Sequence, residues 1–486
     1  MRLATAQITP GDTLEVWFDG RLVGHLVRQS ASVLEIAFRY AEGWTAASGA
    51  FPVSLSMPLE RRDHAPAVAY PWFMNLLPEG RALQVIGSIL KVSEIDVFAM
   101  LEEMGGDLPG ALEIRREGAA AAELRPSHRK LTETELAECI RRLPQRPLLV
   151  GEDGITMSAA GAQEKLPVVR FKDGTLGLAL NGAASTHILK PASAKLRDSV
   201  ANEAYCLRLA EAVKLSAAPV EIGRAEDVEY LLVRRYDRQI EGKSVRRVHQ
   251  EDLCQASGFP PYLKYEWNRE VAQRGPTLKI CMDTLARTPA PGANKIRFVD
   301  ALLLNVLTGN VDAHAKNYSL LIRSSSDIAL APLYDVMNGD IYPDVTRNMA
   351  MKIADQQRGA HVYGRHWDRF AAANGLSATQ VRKRVKTLSA AVLKAAPEIA
   401  ERMGAEHGRP EVYKEISGYV TDYCRRMLAN LDRDPPPEHE TGAEVDEGEL
   451  TIAEAEQATL SPPAIDRRNG EEPAEPRIRS VSKNKE

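Results

Sequence analysis

The sequence predicts an α+β protein with a small N-terminal α+β domain, a larger two-lobed body and an acidic C-terminal tail. Strand-like and helical segments are mixed over residues 11–115, whereas residues 151–434 begin with strands and continue mainly as helices. Residues 438–486 hold 13 acidic and 6 basic residues and no aromatic side chain. Such a segment buries too little apolar surface to offset the entropy lost on ordering, so we expect residues 435–486 to be disordered.

The composition indicates a globular protein of a reducing compartment. The chain has 486 residues, of which 44% are hydrophobic and 26% charged, and its net charge is −4. It has no apolar run of about 18 residues and no N-terminal signal sequence, so we expect a cytoplasmic protein without a membrane contact. Its five cysteines are scattered, without a C-x-x-C pair, so neither a disulfide framework nor a structural zinc site is expected.

The N-terminal domain, residues 11–115, is predicted from local signals. Asp19 and Gly20 separate two apolar runs, which is the strongest short signal for a β-hairpin. Residues 33–40 alternate apolar and polar side chains, as a half-buried strand does. Helices are expected over residues 81–90 and from about residue 93 to Gly105. Together these segments predict a compact domain of mixed strands and helices.

Residues 116–150 are predicted as a linker with one short helix, because the stretch 115–130 is rich in Ala, Arg and Pro. Thr132 and Glu135 form the T-x-x-E pattern of a capping box at the start of that helix. Strand-like runs around a helix at about 199–213 predict a first lobe over residues 151–240. Residues 241–434 are predicted as a mainly helical second lobe, with a helical region beginning near residue 250 and a buried helix before Gly309.

Three polar residues of the second lobe have the spacing found in protein kinases. Asn317 lies five residues after Asp312, and Asp335 follows at the end of a strand-like run. In kinases the first Asp orients the attacking hydroxyl or accepts its proton, whereas the Asn and the second Asp hold Mg²⁺ against the nucleotide phosphates. A helix cap at Asp312 and an Asx turn at Asn317 are the alternative for the D-x-x-x-x-N pattern alone. Asp335 and the buried helix upstream favour the kinase interpretation.

Two features of the first lobe suit nucleotide phosphates. Lys190 ends a short β-prone run, and Glu203 on the following helix is a candidate partner carboxylate. A loop of small side chains, which let backbone N–H groups approach phosphates, precedes the cationic Lys165. Its small residues are Ala160, Gly161 and Ala162. The alternatives are a solvated strand end at Lys190 and a simple flexible loop.

Longer motifs occur throughout residues 11–430: VWFDGRLVG, PVSLSMPL, FMNLLPEGRA and GGDLPGAL, then STHILKP, HQEDLCQA with KYE, GNVDAHAKN and APLYDV. In this order they resemble the HipA-type serine/threonine kinases, the toxin half of bacterial HipBA toxin–antitoxin modules. The resemblance implies a protein-kinase-like fold for the two-lobed body. It also implies transfer of the γ-phosphate of ATP to a protein hydroxyl, with ATP and Mg²⁺ bound between the lobes.

The resemblance also implies a role for single residues. Asp312 would be the catalytic residue, and Asn317 and Asp335 would be the Mg²⁺ ligands. The residues near the nucleotide would be Lys190, Lys165, His314, Ala160, Gly161, Ala162, Arg234 and Tyr236. The last two would form the hinge against adenine, where family members often have Glu in place of Arg234. Ser158 matches a loop serine whose autophosphorylation ejects the loop from the ATP site and inactivates the kinase.

The partners implied by the resemblance are a HipB-like helix-turn-helix antitoxin, operator DNA bound through the antitoxin complex, and a protein substrate. Known substrates in the family include aminoacyl-tRNA synthetases. A basic cluster on a predicted helix after Ser377 could contact DNA phosphates, although a solvated helix face is the alternative. The cluster consists of Arg382, Lys383, Arg384 and Lys386.

Two other functions stay open at this point: a kinase-like co-repressor that has lost phosphotransfer, and a small-molecule phosphotransferase. Asp237, Arg238 and the stretch 249–252 contain further residues of catalytic type. We interpret them as structural, as buried ion pairs and a helix start that join the lobes.

Overall fold

The N-terminal domain is built on a five-stranded antiparallel sheet with the strand order β4-β3-β2-β1-β5. The computed structural model describes residues 11–118, 125–242, 244–268, 271–436 and 450–457. In chain order the elements of this domain are β1 (Thr13–Phe18), β2 (Arg21–Arg28), β3 (Ile36–Tyr40), α1 (Glu42–Thr45), β4 (Asp63–His64), α2 (Pro66–Met74), α3 (Gly80–Leu90), α4 (Val97–Met104) and β5 (Glu113–Arg116).

Local signals in the N-terminal domain are confirmed. Asp19 and Gly20 have φ values of 48° and 72° and connect the antiparallel strands β1 and β2, as a two-residue hairpin turn with positive φ requires. Asp96 begins α4 because its side chain accepts a hydrogen bond from the backbone N–H of Ala99. The same carboxylate pairs with the buried Arg28 at 2.9 Å, which joins α4 to the sheet.

The first lobe contains a six-stranded sheet with the order β10-β11-β9-β7-β8-β6. Its elements are β6 (Ser127–Lys130), α5 (Glu133–Arg142), β7 (Leu166–Arg170), β8 (Leu176–Leu180), β9 (His187–Pro191), α6 (Ser199–Ala212), β10 (Val220–Ala225) and β11 (Val228–Arg234). The capping box of Thr132 and Glu135 starts α5 as predicted. Strand β6 lies within the segment predicted as a linker and pairs with β8 at the edge of this sheet.

The second lobe is mainly helical with short antiparallel sheets. Its elements are β12 (Arg238–Glu241), β13 (Ser244–Arg247), β14 (His249–Asp252), α7 (Leu253–Ala256), β15 (Trp267–Asn268), β16 (Gln273–Arg274), α8 (Leu278–Ala286), α9 (Pro291–Leu307), β17 (Ser319–Ser324), β18 (Asp327–Leu330), β19 (Asn348–Ile353), β20 (Gln356–Arg358), α10 (Gly364–Ala373), α11 (Ala378–His407) and α12 (Pro410–Asn430). The predicted buried helix is α9, which leads directly to the Gly309 loop.

All five cysteines are buried and free. Among the described helices, we find none with the length and apolar character needed to cross a bilayer.

Two expectations for the second lobe and the tail are wrong in part. The helical region expected from about residue 250 begins instead as strand β14, which pairs with β17, because Asp252 caps the helix and keeps the preceding residues extended. Within the tail expected to be disordered, residues 450–457 are ordered and include helix α13 (Ile452–Gln457). Ile452 and Ala455 are buried and belong to the main hydrophobic core, so this short segment does bury apolar surface. Residues 437–449 and 458–486 lie outside the described residues.

The N-terminal domain is joined to the body by buried polar contacts of Asp237, Arg238 and the stretch 249–252. These residues have the structural role that was predicted, but the contacts attach the N-terminal domain instead of joining the two lobes. Arg238 donates to Asp107 of the N-terminal domain at 2.8 Å, and Asp237 accepts from the backbone N–H of Gly110 at 2.7 Å. Glu251 accepts from the backbone N–H of Leu55 at 2.9 Å and from the indole N–H of Trp72 at 3.1 Å. These contacts hold the domain against both lobes.

Candidate active site

A cavity lies where the two lobes, the N-terminal domain and the segment 450–457 meet. Every residue that the sequence analysis placed near the nucleotide or the metal borders it. These residues are Ser158, Ala160, Gly161, Ala162, Lys165, Lys190, Arg234, Tyr236, Asp312, His314, Asn317 and Asp335. The tertiary structure therefore brings together residues from loops and strands that are far apart along the chain.

Lys190 projects from β9 into the cavity and contacts two carboxylates. Its ammonium group donates to both oxygens of Glu203, at 2.7 and 2.9 Å, and to Oδ1 of Asp335 at 2.8 Å. Burial disfavours the charged ammonium, but Asp335 and Glu203 outweigh this effect and raise the pKa of Lys190 above its ordinary value. Lys190 is thus a buried, permanently charged group rather than a solvated strand end.

Asp312 lies in the loop after α9, where three hydrogen bonds position it. Its backbone N–H donates to the side chain of Asn310 at 3.1 Å, and its carbonyl accepts from Nδ2 of Asn317 at 3.0 Å. The Tyr265 hydroxyl donates to Oδ1 of Asp312 at 2.5 Å. Burial, followed by repulsion from Asp335 and Glu454, outweighs Lys264 and Tyr265 and raises the pKa of Asp312 to about 7. Such a carboxylate is suited to accept a proton near neutral pH.

Asn317 and Asp335 supply the oxygen ligands that a magnesium ion would require. Burial disfavours the charge of Asp335, but the ammonium groups of Lys190 and Lys165 outweigh it and hold its pKa below the ordinary value. Within the described residues there is no cluster of three or more His, Cys, Asp or Glu side chains arranged for a metal. Mg²⁺ commonly binds through one or two protein oxygens together with waters and substrate phosphates, so this sparse donor set fits it.

The small-residue loop is folded into the cavity. Ser158 is fully buried, and its hydroxyl donates to the carbonyl of Leu76 in the N-terminal domain at 2.8 Å. Lys165 donates to the carbonyl of Ala160 at 2.6 Å, which closes the loop. Gly161 has a φ of 99°, and a Cβ at this position would lie 2.7 Å from Nζ of Lys165, so glycine suits this position. Burial, followed by repulsion from Lys190, lowers the pKa of Lys165 to about 8.

At the end of β11, in the segment predicted to form the hinge, side chains alternate between buried and exposed positions. Arg234 is exposed at the rim of the cavity, whereas Arg235 is buried and bonds to Asp237, and both of these residues also border the cavity. The ring of Tyr236 lies against that of Tyr334, with centroids 5.5 Å apart and an interplanar angle of 37°. The departure at Arg234 therefore places an exposed cation at the rim of the cavity and leaves the buried ion pair of Arg235 and Asp237 intact.

Sequence reasoning missed a second set of cavity residues, contributed in part by the N-terminal domain. Glu79 accepts from Lys264 at 2.8 Å, and Lys316 donates to Asn75 at 2.6 Å and to Asp252 at 2.7 Å. Burial opposes the charge of Glu79, but Lys264 and Lys316 lower its pKa to about 2. The motifs FMNLLPEGRA and KYE contain Asn75, Glu79 and Lys264, but spacing alone does not show that they meet. This network holds the Asp312 loop against the N-terminal domain.

The basic cluster lies on the first turns of α11 and does not border the cavity. Arg382 pairs with Asp368 and Arg384 pairs with Asp300, so these guanidinium groups are engaged within the protein. Lys383 and Lys386 are exposed. A contact with DNA phosphates stays a prediction, and it now rests mainly on the two lysines.

Two family models match this chain: the HipA N-terminal domain over residues 14–115 and the HipA-like C-terminal domain over residues 157–396. A Sinorhizobium fredii protein named "Putative kinase Y4mE" is 37% identical over 394 residues, which cover 80% of this chain and 92% of that protein. The serine/threonine-protein kinase toxin HipA of Shewanella oneidensis is 29% identical over 437 residues, covering 87% of this chain and 95% of the toxin. Among solved structures, the complex of Shewanella oneidensis HipA, HipB and operator DNA contains a similar chain. The two chains are 28% identical with a TM-score of 0.72, and the match covers 86% of this chain and 96% of the other.

Proposed function

We propose, since this chain belongs to the HipA family, that it is a serine/threonine-protein kinase toxin that transfers the γ-phosphate of ATP to a protein hydroxyl. The observation that supports this proposal most is the shared cavity of Lys190, Asp312, Asn317 and Asp335. These residues have the chemistry and the order along the chain that phosphoryl transfer requires.

The residues of this chain have distinct tasks in the proposed reaction. Arg234, Tyr236, Lys190 and Lys165 border the cavity. Arg234 and Tyr236 would face adenine, and Lys190 and Lys165 would present ammonium groups to the phosphates. The acceptor oxygen attacks the γ-phosphorus, the bond from that phosphorus to the bridging oxygen of ADP breaks, and Asp312 accepts the proton of the hydroxyl. Because burial raises the pKa of Asp312 to about 7, its carboxylate is a stronger base than an exposed one.

Asn317 and Asp335 are the residues that would hold Mg²⁺, which neutralises charge on the phosphates when it is bound. Lys190 connects Asp335 to α6 through Glu203. This ion pair with Lys190 keeps the Asp335 side chain in the cavity. The backbone of Asp335 has the left-handed conformation, with a φ of 57°. The backbone conformation and the ion pair together orient the carboxylate before any ligand binds.

Autophosphorylation of Ser158 belongs to the same proposal. The buried Ser158 hydroxyl donates to the carbonyl of Leu76, so it must leave this position before it reacts. A phosphate carries nearly two negative charges and has no strong donor for that carbonyl, so it could not return to the buried position. Phosphorylated Ser158 is therefore expected to keep the loop outside the cavity and to block the kinase.

The proposed partners are a HipB-like antitoxin, operator DNA bound through the antitoxin complex, and a protein substrate in the cytoplasm. The structure of the Shewanella protein with HipB and operator DNA supports the first two. For the third, an aminoacyl-tRNA synthetase is the substrate class to examine first, as the resemblance to the family implies.

The decisive experiment incubates the purified full-length protein with Mg²⁺ and γ-labelled ATP, followed by mapping of phosphate by mass spectrometry. We expect phosphate on Ser158 and on an added protein acceptor such as casein. Asp312→Asn is the control, because it keeps the shape of the side chain and removes the base, and it should show no transfer. ATP binding without phosphate on any protein would contradict the proposal and favour a kinase-like co-repressor.

A further inference from the structure

The segment 450–457 is tethered to both lobes of the body. Leu450 pairs in parallel with Val345 of the second lobe, where its N–H donates to the carbonyl of Asp344 at 3.1 Å. At the other end, Lys195 of the first lobe donates to the carbonyl of Glu456 at 2.5 Å. Between these ends, Ile452 and Ala455 are buried. The segment therefore lies across the opening between the lobes.

This tether places Thr451 beside the catalytic loop. The Thr451 side chain lies close to the hydroxyl of Tyr265, with which it borders one groove, and the Tyr265 hydroxyl donates to Oδ1 of Asp312 at 2.5 Å. Tyr265 thus lies next to both Thr451 and Asp312. Ile452 and Glu456 border the same cavity as Asp312.

Thr451 also borders a groove that adjoins the cavity. Tyr262 and Trp267, each 50% exposed, line this groove together with Tyr265. Exposed aromatic side chains next to a catalytic loop are surface that a bound polypeptide would cover. The segment 450–457 therefore occupies the side of the cleft from which a protein acceptor would approach.

We propose that Thr451 is a phosphoacceptor for the active site of its own chain. The inference rests on the proposed kinase function, since it uses the same ATP and the same base. The Thr451 oxygen attacks the γ-phosphorus of ATP, the bond from that phosphorus to the bridging oxygen of ADP breaks, and the hydroxyl proton passes to Asp312. The products are phosphothreonine, ADP and a protonated Asp312, which releases its proton to solvent.

Two observations separate this role from that of an ordinary helix cap. Thr451 does form a capping box with Glu454: its N–H donates to the Glu454 carboxylate at 2.7 Å, and its hydroxyl accepts from the Glu454 N–H at 3.1 Å. A cap need not lie beside Tyr265, however, and Thr451 is the only hydroxyl-bearing residue of 450–457. Phosphorylation would place nearly two negative charges beside Glu454 and Asp312. The repulsion is expected to release the segment and open the groove.

The test uses the full chain with Mg²⁺ and ATP, with phosphopeptides quantified over time and casein present as an independent acceptor. We expect phosphate on Thr451 at an initial rate per molecule that does not change over a tenfold dilution of the protein. Thr451→Ser is the matched variant that should keep the phosphate at this position, and Thr451→Val should lose it.

The outcomes distinguish the inference from the proposed function. Phosphate on casein or Ser158 without any on Thr451 would overturn the inference and leave the kinase assignment intact. A Thr451 rate per molecule that falls in proportion to dilution would show transfer between chains and would overturn the intramolecular step. Absence of phosphate from every acceptor would overturn the kinase assignment and the inference with it.

Discussion

The pH dependence of phosphotransfer tests the role assigned to Asp312. Its carboxyl group has a pKa of about 7 because it is buried and faces other acidic side chains. Only the charged carboxylate can accept a proton, so activity is expected to be lost as the pH falls through 7. The charged fraction is about one eleventh at pH 6 and about ten elevenths at pH 8 for such a group. We therefore expect kcat/KM to rise about tenfold between these pH values and then to level off.

A substitution of Tyr265 should move this profile in a known direction. The Tyr265 hydroxyl donates to Asp312 and stabilises its charged form. A hydrogen bond to a charged group contributes about 1.5–3 kcal/mol, and about 1.4 kcal/mol corresponds to one pH unit. Tyr265→Phe removes this donor and keeps the ring, so the midpoint of the profile should rise by about one to two pH units.

The assay is initial-rate phosphorylation of casein at several concentrations of MgATP, over pH 5.5 to 9, in buffers of constant ionic strength. The parameter kcat/KM for MgATP follows the ionisation of the free enzyme, which is the state that the structure describes. Asp312→Asn provides the background. A flat profile between pH 6 and 8, or a Tyr265→Phe midpoint at or below that of the wild type, would refute the assignment of Asp312 as the base.

Three further predictions concern stability, nucleotide binding and DNA. Asp107→Asn removes the charge of a buried carboxylate that pairs with the buried Arg235 and Arg238 and the partly buried Arg247, so the unfolding free energy in urea should fall by about 3–5 kcal/mol; an unchanged midpoint and slope would contradict this. Lys190→Met leaves two carboxylates facing each other without their cation, so calorimetry should show ATP binding weakened at least about tenfold, and equal affinity would count against a phosphate contact. Lys383→Ala and Lys386→Ala, measured in the complex with antitoxin, should each reduce the slope of log affinity for operator DNA against log salt by about 0.9. Arg384→Ala is the control, since its guanidinium is already paired. If the slopes of all three variants equal that of the unsubstituted protein, the predicted contact of the lysines with DNA is wrong.

Elements governed by neighbours in the sequence were predicted well. The hairpin at Asp19 and Gly20 depends on two residues that tolerate positive φ, and α5 depends on a capping box whose partners are three residues apart. Strand β9, which ends in Lys190 and Pro191, depends on a short run of β-prone side chains. In each case the energies that select the structure act within a few residues, so the pattern alone contains the information.

The sequence by itself also determined the types of candidate catalytic side chain and their order along the chain, because the D-x-x-x-x-N spacing places Asp312 and Asn317 in one loop. Only the tertiary structure decided which distant groups meet them. Lys190 contacts Asp335 across 145 residues, and Tyr265 contacts Asp312 across 47. Such contacts follow from the packing of whole lobes, in which each residue pair contributes too little energy to leave a local pattern. Long-range packing also decides the structure of the C-terminal segment. Its acidic composition predicts disorder, yet residues 450–457 are ordered at the border of the cavity, because two of their apolar side chains are buried and each lobe contacts one end of the segment.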